Sequence, residues 1–275
     1  MKNFLKILVL SIVAMTFTIG HAENVWKTGY RKILVEDTAH TEVIYVHIAN
    51  DRHLKQQQVK YEMLSIGNDI TAYGGHGNYQ LDTLFLRKKE SKLSPQDLIR
   101  LGREYEPIYE SLTINREKGI LNFYGNIFVN NYKYSEPIPK IDWTLTDETE
   151  EIMGYKCHKA TTKWRGREWN AWYCDIPVDA GPWKFQGLPG LILKVEDTKG
   201  DHSIYAIGTE NNVFPIGHPY KAYSKATREK YNEAKEDHAL NGNSMLVNSG
   251  MVTAVNGVKP NLSKRRRFHA PLELE

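Results

Sequence analysis

Several features are scarce in this sequence, and each scarcity removes a class of function. Only two cysteines occur in 275 residues, Cys157 and Cys174, so at most one internal disulfide can form. Lys and Arg outnumber Asp and Glu by 36 to 33, a net charge of +3. A near-balanced chain has no bulk electrostatic reason to bind nucleic acid or anionic lipid. There is no His-Glu-x-x-His, no Gly-x-Ser-x-Gly and no Gly-x-x-x-x-Gly-Lys, the signatures of zinc proteases, α/β-hydrolases and phosphate-cradling loops. The scattered histidines, among them His40, His47, His53, His76, His202, His218, His238 and His269, include no pair with metal-ligand spacing on one element. Neither a metal nor a cofactor is expected. No internal repeat, heptad run or low-complexity block occurs.

Long apolar runs are also missing, except at the start. Lys2 and Lys6 precede an apolar stretch from Ile7 to Ile19, and Gly20 and Ala22 then occupy the small-residue positions of a cleavage site. That is the three-part pattern of a secretory signal. The stretch falls short of the about 20 residues that span a bilayer comfortably. Residues 1–22 therefore read as a cleavable signal peptide and 23–275 as one β-rich domain of charge +1, with no transmembrane segment after cleavage. The expected location is the periplasm, cell envelope or extracellular space.

The chain does have aromatics: 16 tyrosines and six tryptophans, residues that suit half-buried pleated surfaces. Strands are expected at Lys32–Glu36, Glu42–Ile48 and Lys60–Ile66. A turn cluster follows at Tyr73–Asn78, then a strand-like Gln80–Leu86. Gly75-His76-Gly77 begins like a dinucleotide fingerprint, but position 80 is Gln80 and the stretch reads as a hairpin loop. Ser94-Pro95-Gln96-Asp97 offers an N-cap, proline at N1 and an acid in the first turn, so a helix is expected over Pro95–Glu104. A second helix is expected from Lys225 to Leu240, stopped by Asn241-Gly242. Strand character returns at Gly119–Val129 and Ile141–Thr146, and Glu136-Pro137-Ile138-Pro139 reads as an edge or connection. The fold class is mainly β: an antiparallel, strongly curved sheet or half-barrel with two or so helices packed on it.

Tyr155–Trp164 and Arg167–Cys174 form a hairpin about Arg165-Gly166. A two-residue turn there sets Lys163 against Glu168, Thr162 against Trp169 and Cys157 against Cys174, which makes the cysteines a candidate disulfide. The alternative register centres on Gly166-Arg167 and leaves the thiols diagonal and free. Cys157 and His158 are adjacent on one strand, so their side chains point to opposite faces and form no dyad.

Downstream, Gly187-Leu188-Pro189-Gly190-Leu191-Ile192 reads as a rigid corner. Pro189-Gly190 fits a type II turn, Gly187 permits a close approach or an unusual dihedral, and Leu191–Val195 launches a buried strand. Trp183, Phe185 and Leu188 can cover one end of a sheet, and Trp172, Trp183 and Phe185 are the candidate binding-surface aromatics. Lys184 is the single titratable side chain between Gly181 and Leu193. These residues spell the motif of the GLPGLI family of exported Gram-negative proteins. Ile141-Asp142-Trp143, Gly154-Tyr155-Lys156-Cys157, Ala171-Trp172-Tyr173, Ile176-Pro177 and the terminal Pro271-Leu272-Glu273-Leu274-Glu275 resemble that family's other blocks. Cys174 stands where the family commonly has threonine or another small residue. The resemblance implies an envelope protein associated with TonB-dependent outer-membrane uptake.

Three functions follow as expectations. The first is a non-catalytic envelope protein that binds a partner or ligand, with an outer-membrane receptor or a hydrophobic ligand as its partner. The second is a LolA-like carrier of a hydrophobic molecule. The third is a hydrolase whose carboxylates are assembled by the fold. Glu196-Asp197 beside Lys199-Gly200-Asp201 reads as a solvated turn, and Lys264-Arg265-Arg266-Arg267 as a solvated tail segment.

Overall fold

The computed structural model describes residues 25–28, 30–87, 94–248 and 266–275. The signal peptide expected over 1–22 lies outside these residues. The chain is mainly β, as the aromatic and β-branched content implied. In order, the strands are β1 (Val25–Lys27), β2 (Lys32–Ala39), β3 (Thr41–Asp51), β4 (Gln56–Ile66), β5 (Ile70–Gly75), β6 (Ser111–Asn115), β7 (Ile120–Ile127), β8 (Asn130–Pro137), β9 (Thr144–Ile152), β10 (Tyr155–Trp164), β11 (Arg167–Cys174), β12 (Leu191–Asp197), β13 (His202–Glu210), β14 (Phe214–Pro219) and β15 (Ser224–Lys225). Helices α1 (His76–Arg87) and α2 (Pro95–Tyr105) join β5 to β6, and α3 (Arg228–Asn248) follows β15.

Twelve strands form one open sheet in the order β15-β8-β7-β6-β5-β4-β3-β13-β12-β11-β10-β9, antiparallel except for the β15–β8 pair. A second sheet, β1-β2-β14, packs across the outer face of β4, β5 and β6. The large sheet curls until distant strands meet. Arg165, at the β10–β11 turn, reaches Glu136 on β8 at 3.2 Å, although eight strands separate β8 from β10 in the sheet order. The concave face is filled by Tyr45, Leu64, Leu112, Phe123, Trp172 and Leu193, so the space in which a lipid carrier would hold cargo is occupied by side chains.

The hairpin register is the one set by Arg165-Gly166: Cys157 pairs with Cys174, Thr162 with Trp169 and Lys163 with Glu168. The candidate disulfide is nevertheless not formed. Both thiols are free and buried, and their sulfurs approach the carbonyls of Tyr155 at 3.5 Å and Leu191 at 3.6 Å. Directly opposed strand residues hold their Cβ atoms about 4.5–5.5 Å apart, wider than the about 3.8 Å a disulfide favours.

The corner at 187–192 is internal, but its glycines have other roles than a type II turn requires. Gly187 carries the positive φ, +89°. Gly190 does not; a Cβ there would lie 1.9 Å from the Cys174 carbonyl oxygen, so close approach is what demands glycine. Leu188, Leu191 and Ile192 are all buried. Leu188 and Ile192 join Phe185, Trp169 and Val195 in a second core on the far side of β11 and β12.

Other expectations need correction. Gln80–Leu86 is helical, within α1, and a helix does follow Gly75. The alternating Leu81, Thr83 and Phe85 looked strand-like, but Gly77-Asn78 and Leu81-Asp82, four apart, form one buried helical face. Helix α2 begins as expected, with a capping box between Ser94 and Asp97. Helix α3 runs through Asn241-Gly242, with the tail docked alongside: the Arg267 N–H donates to the Ala239 carbonyl at 2.8 Å. Strand β9 starts later than Ile141, which is instead buried under Phe185 and Leu188.

Two predictions follow. Gly190→Ala should destabilise the fold by about 3 kcal/mol, the upper range for forcing extra volume into a packed site. Gly154→Ala, at φ +79° with open space around it, should cost only about 1 kcal/mol; paired urea melts would compare them. Separately, thiol labelling of never-reduced protein should modify neither cysteine in the native state and both after unfolding.

Candidate active site

Glu42 and Glu210 are directly opposed across β3 and β13, so their side chains leave the same, outer face of the sheet. Ser65 stands opposite Glu42 on the other side, on β4. Tyr79 of α1 and Asn212 approach from above. Glu42 is fully enclosed, yet neither of its carboxyl oxygens has a hydrogen-bond partner among the described residues. Burial raises its pKa from 4.5 to about 7, and the negative charge of Glu210 adds to the rise. The polar groups of Asn212, Ser65 and Tyr79 offset part of it. Asn212 Nδ2 donates to both the Tyr79 hydroxyl, at 2.9 Å, and Glu210, at 2.8 Å. A carboxyl held protonated near neutrality beside a second carboxyl divides acid and base roles between two like groups.

Ser65 and Tyr79 also form part of the wall of a cleft of about 340 Å³ between the small sheet, α1 and the large sheet. Its wall includes the aromatic side chains of Tyr30, Tyr79, Tyr109 and Phe214. Phe214 packs edge-on against Tyr79 at 4.6 Å and Trp26 at 4.9 Å between ring centres, which fixes its orientation. A cleft of mixed apolar and polar lining beside a perturbed carboxyl is a candidate reactive site.

Three other polar clusters are structural. Lys184, with no exposed surface, is held by Glu136 at 2.7 Å, Glu273 at 2.8 Å and the Tyr134 hydroxyl at 3.1 Å. Asp197 is not a solvated turn residue: it is buried and paired to Arg167 at 2.5 Å. Beneath the cleft, the Tyr73 hydroxyl donates to Glu62 at 2.6 Å, Glu62 meets His47 at 3.0 Å, and His47 meets His202 at 3.1 Å. His202 Nε2 lies 3.1 Å from the Pro271 carbonyl. A carbonyl only accepts, so His202 bears its proton on Nε2 and His47 donates to its Nδ1. Burial, then the nearby His47 and Arg167, lowers the His202 pKa to about 3.

The candidate binding-surface aromatics are taken up in packing. Phe185 is buried. Trp172 lies in the core with Lys194 over its ring at 4.1 Å, and Trp183 is wedged edge-on against Phe123 at 5.8 Å. Gly187, Leu188, Pro189, Gly190, Leu191 and Ile192 contribute nothing to the cleft. Neither Glu42 nor Glu210 was singled out from the sequence. Glu42 carries one visible signal: a charged residue at the start of the otherwise apolar Val43–Val46 run.

Comparison with known proteins places this geometry in context. Residues 85–215 match the model of an N-glycanase family. Its description is "N-glycanase peptide, N-terminal domain". The match includes Glu210 and spans the 187–192 corner, and it overturns the GLPGLI assignment: that hexapeptide is explained by the packing of Gly187 and Gly190 and does not identify the chain. It also overturns the expectation of a non-catalytic partner-binding protein. Two solved structures of PNGF-II, in space groups P21 and C2, resemble the chain at a TM-score of 0.48 and 18% identity over 72% and 73% of its length. The chain spans 33% of the length of each. A search of the curated proteins finds no match to the sequence. No described helix is long and apolar enough to cross a membrane.

The raised Glu42 pKa has a thermodynamic signature. The unfolded chain loses this proton near pH 4.5 and the folded chain near 7, so stability falls as pH rises between those values and then levels off. Between pH 5 and 8 the wild type should therefore lose about 3 kcal/mol more than Glu42→Gln. Urea unfolding of both proteins at the two pH values measures the difference.

Proposed function

We propose that this chain is a glycan-directed hydrolase of the N-glycanase type, working in the cleft between the two sheets. The observation that carries the reading is Glu42, an enclosed carboxyl that keeps its proton near neutral pH beside Glu210. The family match over 85–215 supports it and supplies the substrate class.

Hydrolysis needs a proton for the departing nitrogen or oxygen, and a group to take one from the attacking water. Glu42 holds the first. It does not itself open into the cleft; Ser65, its cross-strand neighbour, and Tyr79 stand beside it on the wall, and a side-chain rotation that brings either hydroxyl into hydrogen-bond reach passes the proton on. Glu210 is the partner carboxyl, oriented by Asn212, and takes the proton from water. Division of labour between two carboxyls in unlike surroundings is the pattern of glycoside hydrolysis. Tyrosine and phenylalanine faces give the cleft flat surfaces against which sugar rings can pack.

Incubation of the full chain with an N-glycosylated peptide should release the glycan, at a rate that declines as pH rises past about 7 and Glu42 ionises. Glu42→Gln should lower kcat by about 10²-fold or more while leaving KM nearly unchanged. A wild-type protein that leaves the glycopeptide and simple aryl glycosides intact from pH 5 to 8 would remove this function.

A further inference from the structure

The cleft also holds an uncompensated positive charge. Arg31 lines it and is fixed by Asp82, with the guanidinium 2.6 Å and 2.7 Å from Oδ2. Asp82 is fully buried and accepts a further hydrogen bond from Thr28 at 2.8 Å, so the Arg31 head group is built in, not drifting. Lys221, an exposed residue at the rim, lines the same cleft, its ammonium 5.8 Å from the centre of the Tyr109 ring. Among the described residues no carboxylate lies within salt-bridge distance of Lys221. Two cations therefore share one carboxylate, and that carboxylate is already committed to Arg31. Partial burial, and then the charge of Arg31, lower the Lys221 pKa. Tyr30 stands among the same groups, close enough to feel Tyr109, Arg31 and Asp82.

We infer that the cleft selects an anionic saccharide, one whose sugar ring packs on Tyr30 or Tyr109 while its carboxylate or sulfate is bound by Lys221 and Arg31. An incoming anion supplies the partner that no described carboxylate gives the second cation. A fixed guanidinium beside an ammonium suits a carboxylate or sulfate oxygen pair. Glu42 is enclosed behind Ser65 and Tyr79, and neither it nor the half-buried Glu210 lines the cleft, so the cleft's accessible charge is positive while its proton source stays shielded.

This inference rests on the proposed site but is separable from its catalysis. Calorimetric titration of the full chain with methyl β-glucuronide and with methyl β-glucoside provides the test. The glucuronide should bind about tenfold more tightly, the increment expected of one charge-assisted contact. Lys221→Gln should erase the preference without weakening glucoside binding, and Lys221→Arg should retain it. Glu42→Gln, which removes the proton source, should bind both sugars as the wild type does. Equal affinity for the two sugars, no binding of either, or a preference that survives in Lys221→Gln overturns the inference. So does complete displacement of the glucuronide by an equal concentration of sulfate, which would reveal a bare anion site. A preference for glucuronide in a protein that hydrolyses nothing would sink the catalytic proposal and leave this one standing.

Discussion

Lys184 is the side chain on which the shape of this protein turns. It has no contact with water, and its ammonium is shared by Glu136 from β8 and Glu273 from the C-terminal segment. Arg165 from the β10–β11 turn and Arg228 from α3 converge on the same two carboxylates. An ammonium left alone in such surroundings would be strongly destabilising, and so would either carboxylate. The network is therefore satisfied only when the sheet has curled far enough to bring β8 and the β10–β11 turn together. The tail must also have been laid across the gap. The Trp183 indole N–H donates to Glu273 at 3.2 Å, which locks the 183–192 corner to the same point.

The curl has consequences on the opposite face. Because the concave side is filled, the outer face of β3–β6 must be covered by something else, and the β1-β2-β14 sheet with α1 does this incompletely. What remains between them is the cleft. Glu42 is enclosed by that same packing, and its proton affinity is a product of burial before it is a product of any neighbour. The cleft is thus acidic but shielded on one wall and basic on its open side, an asymmetry created by two sheets meeting over a helix.

Much of the architecture was legible in the residues. The β10–β11 hairpin followed from Arg165-Gly166 and the pairing of Lys163 with Glu168. Helix α2 followed from Ser94, Pro95 and Asp97. Helix α1 was hidden because its Leu81, Thr83 and Phe85 imitate the two-residue period of a strand; its burial four residues apart becomes visible only when β5 and α2 pack on it. Glycine gave the right location and the wrong mechanism at the corner: Gly190 is required by the Cys174 carbonyl, a neighbour distant in sequence. The hexapeptide's resemblance to the GLPGLI family rested on local residues whose presence the packing of Gly187 and Gly190 explains.

The sequence by itself determined a mainly β chain with a tight hairpin, a capped helix and an apolar corner, since these depend on hydrogen-bonding and steric preferences within a few residues. It offered the proposed chemistry only as its last alternative, carboxylates brought together by folding. Which carboxylates they are was decided by the tertiary structure alone. Glu42 and Glu210 stand 168 positions apart, and the one local signal, a charge at the head of the apolar Val43–Val46 run, does not pair them. A carboxyl's proton affinity is set by the water it loses and the charge it faces, and both are fixed only when β13 closes against β3.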